Sequence, residues 1–165
     1  MATTSVNLYR SVRVEQFPDG VLEGLDPAEG LLDPDFYPKD VGGGNIRAAD
    51  VEMETIENVE WVKPGGGTSL FDRPAVFTKP GWLSFEIPGA TPIPESLVVV
   101  DTGYNKRFKA NHHQIEPRTL MTKAALGALD NFARSAIARS VELGRLRQLA
   151  KKFWTRRCLR SMGRR

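Results

Sequence analysis

Apolar and polar residues alternate through the first run of the chain, SVNLYRSVRVEQF. Val6, Leu8, Val12 and Val14 fall on one face of a strand, and Arg10 falls on that same face. An arginine on the inward face of a first strand is uncommon. The stretch GWLSFEIP alternates Trp82, Ser84 and Glu86 against Leu83, Phe85 and Ile87, which predicts a half-buried strand. The continuous apolar run of LVVVDT predicts a strand buried on both faces. The second half of YNKRFKANHHQIEP reads as a further strand, with His112, Gln114 and Glu116 on one face and His113 and Ile115 on the other. From Leu120 the period changes. Leu126, Leu129, Ala133, Ala136, Ile137 and Val141 recur at three- and four-residue spacing, which predicts an amphipathic helix over 120–143.

The intervening segments are less regular. Residues 18–50 are rich in Pro, Gly and Asp and read as one long loop, a length that usually marks function or mobility. NIRAADVEM and IENVEWVKP read as short helix or strand pieces. In GGGTSLFD, three glycines run into Thr68 and Ser69, and either hydroxyl could cap a helical turn that Pro74 limits. The order of elements predicts an α+β fold with a mainly antiparallel sheet, flanking helices and a long C-terminal helix.

Composition sets the class. With 165 residues, 41% hydrophobic and 26% charged, the chain is expected to be one globular domain with its own core. Its single cysteine, Cys158, allows no internal disulfide and favours a reducing compartment. No run has the length of a signal peptide or a membrane span, so a cytoplasmic protein without membrane insertion is expected. Net charge is +3, but the distribution is uneven: residues 145–165 hold nine of the 23 basic residues and none of the 20 acids. The body is therefore acidic and the tail basic, which speaks against a nucleic-acid-binding domain; the tail alone could touch nucleic acid, a membrane surface or an acidic partner. The boundaries that follow are 1–143 for the domain and 144–165 for a basic helical extension.

Chemistry is not concentrated in any one motif. His112 and His113 are the only histidines, and adjacent strand residues point to opposite faces, so they cannot chelate together and no metal site is expected. The glycine runs match neither a Walker loop nor a dinucleotide fingerprint. What remains is Arg10, the pair Thr68 and Ser69, and HHQIEP. Together an arginine, hydroxyls and a carboxylate can hold an anionic, ribose-containing ligand and stabilise positive charge that develops on it. Plainer readings stand beside this one. Arg10 can pair with a carboxylate, Thr68 or Ser69 can be a cap, and His112 can be structural. Glu116 can be a solvated strand end. Tyr104 and Asn105 can be turn residues, or they can line the flat-ring side of a pocket.

The order of Arg on the first strand, Ser/Thr on a later element and Gln-x-Glu near a strand end resembles the layout of ADP-ribosyltransferases. A closer resemblance lies in NLYRSV, GGTSLFDR, IPGATPIP, YNKRFKANHHQIEP and LDNFARSAIAR. These look like the segments, in the same order, of the Tse-type effector toxins of bacterial type VI secretion. The likeness covers most of residues 7–143, is weakest over 15–64, and leaves the basic tail outside.

This resemblance implies an ADP-ribosyltransferase-like fold, NAD as substrate and action in the cytoplasm of a recipient cell. It also implies delivery by the type VI secretion machinery and a cognate immunity protein. Position by position, it implies Arg10, Ser69 and His112 as catalytic residues, and Arg10, Arg47, Thr68 and Ser69 as contacts to NAD. Gln114 and Glu116 match the transferase Gln-x-Glu instead, a departure from the toxins, which do not reliably carry that carboxylate. With it Glu116 would be catalytic and Gln114 would contact NAD, as Tyr104 and Asn105 would from the flat-ring side. Glu116 either supplies the transferase carboxylate or is incidental. The alternative reading is a non-enzymatic toxin of the same fold that blocks a cellular partner.

Overall fold

A computed structural model describes residues 1–145; the basic tail beyond that point, with Cys158, lies outside the described residues. The chain opens with β1 (Leu8–Arg13). Four two-residue strands follow, β2 (Leu22–Glu23), β3 (Asp26–Pro27), β4 (Lys39–Asp40) and β5 (Ile46–Arg47). Then come β6 (Met53–Ile56), β7 (Val59–Val62), β8 (Thr68–Phe71), β9 (Trp82–Ile87), β10 (Leu97–Asn105), β11 (Ala110–Pro117) and β12 (Met121–Thr122). A 3-10 turn (Lys123–Gly127), capped by the Thr122 hydroxyl accepting from the Ala125 N–H, leads into α1 (Ala128–Glu142). The expected α+β order is therefore present, with antiparallel strands followed by a C-terminal helix. That helix begins eight residues later than the apolar spacing suggested.

The main sheet has the strand order β10-β11-β8-β1-β9, and a smaller one has β12-β7-β6. All pairings in both are antiparallel. On β1, Leu8 and Val12 are buried with Arg10 between them, as the alternation predicted, whereas Val6 and Val14 are exposed beyond the strand. The core gathers Leu8, Leu70, Phe85, Ile87 and Ile115 from the sheet against Leu129, Phe132 and Ile137 of α1. Phe132 is fully buried, and a side chain of that size contributes about 2 kcal/mol in this way.

Of the helix-or-strand alternatives left open for NIRAADVEM and IENVEWVKP, the strand holds, in β5, β6 and β7. Two local expectations are corrected. Thr68 and Ser69 do not start a helix; they open β8, because Gln114 and Ile115 of β11 pair with them and supply the ladder. The run Val98–Val100 is only half-buried, because β10 is the edge strand of its sheet. The long 18–50 segment is anchored by Leu31 and Leu32, both fully buried.

One joint in the main sheet differs from the others. Every residue of β1 pairs with β9, yet β1 meets β8 in register only at Tyr9 and Phe71. Beyond that pair the two strands separate, and a cleft opens between them.

Candidate active site

The cleft has a volume of about 900 Å³. Arg10 sits where β1 and β8 part. Its Nη1 donates to the Ser69 carbonyl at 3.3 Å, and its Nη2 donates to the Asp33 carbonyl at 3.0 Å. The arginine thus fastens β1 to β8 on one side and to the 31–36 segment on the other. Its Nε is buried without a partner among the described residues. Burial pulls the guanidinium below its ordinary pKa, and Asp50 and Asp35 oppose that pull.

One wall of the cleft is charged. Arg47 reaches Asp50 at 3.3 Å and Asp35 at 3.8 Å, and Lys39 also pairs with Asp35. The Asp35 amide donates to the Asp50 carboxylate at 2.8 Å, which pins both ends of the loop that carries these groups. Burial raises the Asp33 carboxyl above the usual range, and nearby Asp130 adds to the effect.

Aromatic rings line the cleft as well. Phe77 stacks on Trp82 at 4.1 Å between ring centres, and Phe108 meets both Phe77 and Phe71 edge-on at 5.0 and 5.1 Å. His112 meets Phe71 edge-on at 5.2 Å. Burial lowers the His112 pKa, and His113 lowers it further, which favours a neutral ring. Its Nδ1 contacts the Thr102 hydroxyl.

Of the residues expected to form a site, Arg10, Arg47, Ser69, Tyr104, Asn105 and His112 line this cleft. Thr68, Gln114 and Glu116 do not. Thr68 and Ser69 are consecutive on a strand, so their side chains diverge. Thr68 is fully buried and its hydroxyl donates to the Leu32 carbonyl. Its observed contact fixes the loop that bears Asp33. Glu116 is four residues beyond His112, about 13 Å along β11. Its carboxylate is buried and accepts from the Gly65 amide at 2.6 Å and from Gln114 Nε2 at 2.9 Å. It holds the glycine run that precedes β8. Asn105 takes the turn role, its Oδ1 accepting from the amides of Arg107 and Phe108.

These contacts separate two kinds of effect. Glu116→Gln should lower stability by about 1 kcal/mol, because one of its two hydrogen bonds then faces a donor. It should leave toxicity intact. Urea unfolding beside a growth assay checks both, and a stable but harmless variant would return Glu116 to the chemistry.

Sequence reasoning missed the aromatic wall and the cleft carboxylates Asp33, Asp35 and Asp50. The available signal was slight: Phe77 and Phe108 lie outside any strand or helix period, whereas Phe71 and Trp82 belong to strands and gave no hint of a shared wall. Among the described residues no His/Cys/Asp/Glu cluster is placed to hold a metal, and no helix is long and apolar enough to cross a membrane.

Comparison with known proteins agrees with the resemblance. A family model described as Tse2 ADP-ribosyltransferase toxin matches residues 4–141. The protein Toxin Tse2 of Pseudomonas aeruginosa is 36% identical over 152 residues, covering 86% of this chain and 94% of that protein.

Proposed function

Because the chain belongs to the Tse2 ADP-ribosyltransferase toxin family, we propose that it binds NAD in the cleft and transfers ADP-ribose to a target in a recipient cell's cytoplasm. Delivery by a type VI secretion machinery and protection of the producer by an immunity protein belong to the same proposal. The observation that supports it is the lining of the cleft, which brings arginines and aromatic rings together. A dinucleotide offers matching parts, a charged pyrophosphate and flat rings. Arg10 keeps further N–H donors on its two Nη atoms beyond the two it spends on carbonyls. Arg47 is more than half exposed and spends one hydrogen bond on Asp50, so its guanidinium also keeps donors for a phosphate.

In the reaction, the bond from ribose C1′ to nicotinamide breaks and the ribose gains positive charge. Carboxylates near it would lower that barrier. Those that line the cleft are Asp33, Asp35 and Asp50, and this is where the proposal departs from a Gln-x-Glu mechanism.

A second reading has an observation in its favour. With Glu116 committed to Gly65 and Gln114, the cleft lacks the carboxylate of the Arg-Ser-Glu layout. That would suit a toxin which binds a partner without turnover.

Inducible expression in a bacterial host, following growth and cellular NAD together, separates the two. Wild type should halt growth and consume NAD, and Ser69→Ala should consume it about 100-fold more slowly. Growth arrest with NAD steady and no ADP-ribosylated product would favour binding alone.

A further inference from the structure

The β10–β11 hairpin contains one irregularity. Asp101 pairs with His113 and Gly103 pairs with His112, so Thr102 is an extra residue in a bulge. Gly103 adopts a φ of +106°, a conformation that favours glycine, and its amide donates to Asp101 Oδ1 at 2.8 Å. The bulge brings the Thr102 side chain onto His112. There its hydroxyl meets two atoms of that residue, the carbonyl oxygen at 3.0 Å and ring Nδ1.

A hydroxyl has one proton, and a carbonyl can only accept. Both contacts are satisfied in one way: Thr102 donates to the carbonyl, and its oxygen accepts from Nδ1–H. The reverse assignment would set two oxygen lone pairs against each other at 3.0 Å. The neutral ring therefore carries its proton on Nδ1, and Nε2 is left with a free lone pair.

We infer that Thr102 is a positioning residue that holds His112 in the Nδ1-protonated form, so that Nε2 serves the cleft as a base. This rests on the transferase reading above. The nucleophile, a hydroxyl of the target or water, attacks ribose C1′. The C1′–O bond forms as the C1′–N bond breaks, nicotinamide leaves with the electron pair, and the nucleophile's proton passes to Nε2 and on to solvent. The neutral state favoured by burial suits that role.

The test is nitrogen NMR of the labelled full-length protein at pH 7.5, with NAD turnover measured in parallel. Wild type and Thr102→Ser should show Nδ1 protonated. Thr102→Val should shift the ring to the Nε2–H form, with kcat down about 10-fold and KM within about two-fold, while serine restores kcat. An Nε2–H ring in the wild type, or an unchanged ring in the valine variant, overturns the assignment without any reference to NAD. A shifted ring with unchanged kcat overturns the role as base. If the wild type shows Nδ1 protonated but consumes no NAD, the transferase reading and the base role both fail and only the tautomer assignment survives.

Discussion

Growth arrest should disappear in the Arg10→Lys variant although the positive charge is kept. Arg10 spans two carbonyls, Ser69 on β8 and Asp33 on the loop, through different nitrogens of one planar group. A lysine ammonium is a single point and cannot hold both at once. Each such bond from a charged donor contributes about 1.5–3 kcal/mol, so losing one should lower stability by about 2 kcal/mol. The larger effect is on the cleft. β1 and β8 share only one registered pair, and without the arginine the walls are free to change their spacing. A displacement of about 1 Å can cost about 100-fold in rate. Urea unfolding should show a folded protein with a lower midpoint, and growth should match that of an empty vector. A toxic Arg10→Lys variant would mean that charge alone suffices and that the fork has no part.

Gly67→Ala should prevent folding. A Cβ at this position would lie 1.8 Å from the Ile115 carbonyl oxygen and 2.7 Å from its carbon. Both are backbone atoms of β11, so no side chain can turn aside to make room. Thr68 and Ser69 must pair with Ile115 and Gln114 directly after this point, so the chain cannot retreat either. An overlap of this kind should cost at least about 4 kcal/mol, against a total stability of about 5–15 kcal/mol for a domain. The predicted result is insoluble protein, or soluble protein without a cooperative thermal transition. Gly65→Ala is the contrast. Its φ of +97° brings strain, but the space around it is open. The cost there should be about 1–3 kcal/mol, with folding retained. If Gly67→Ala melts like the wild type, the close approach of β8 to β11 is wrong.

Alternation made β1, β9 and β11 legible, because each has one face on the core and one face away from it. Arg10 stood out for the same reason, as a charge in an apolar row. Thr68 and Ser69 were misread because local chemistry and tertiary pairing pointed different ways. Hydroxyls after glycines look like a helix start, and only β11, about 45 residues later, makes them a strand. The LVVV run misled in the opposite sense, since three valines suggest burial on both faces and an edge strand needs only partial cover. His112 and Glu116 share a strand face, yet alternation does not say that one end of the strand meets a cleft and the other a glycine loop. Arg47 was named as a cleft residue, but its ties to Asp35 and Asp50 could not be read from spacing. Thr102 was invisible, because a bulge has no periodic signature. The aromatic wall was hidden too, since its rings come from loops and strand ends that only the folded chain assembles.

The position of β1 has a consequence for how the protein is made. The first strand lies inside its sheet, between β8 and β9, and the far edge is not complete until β10 and β11 have been synthesised. Residues that emerge early from the ribosome must wait for residues that emerge late. Arg10 leaves among the first, and His112 follows some hundred residues later. A nascent or truncated chain therefore has no cleft and no activity to restrain. Whatever the cleft binds, only the finished chain can bind it there.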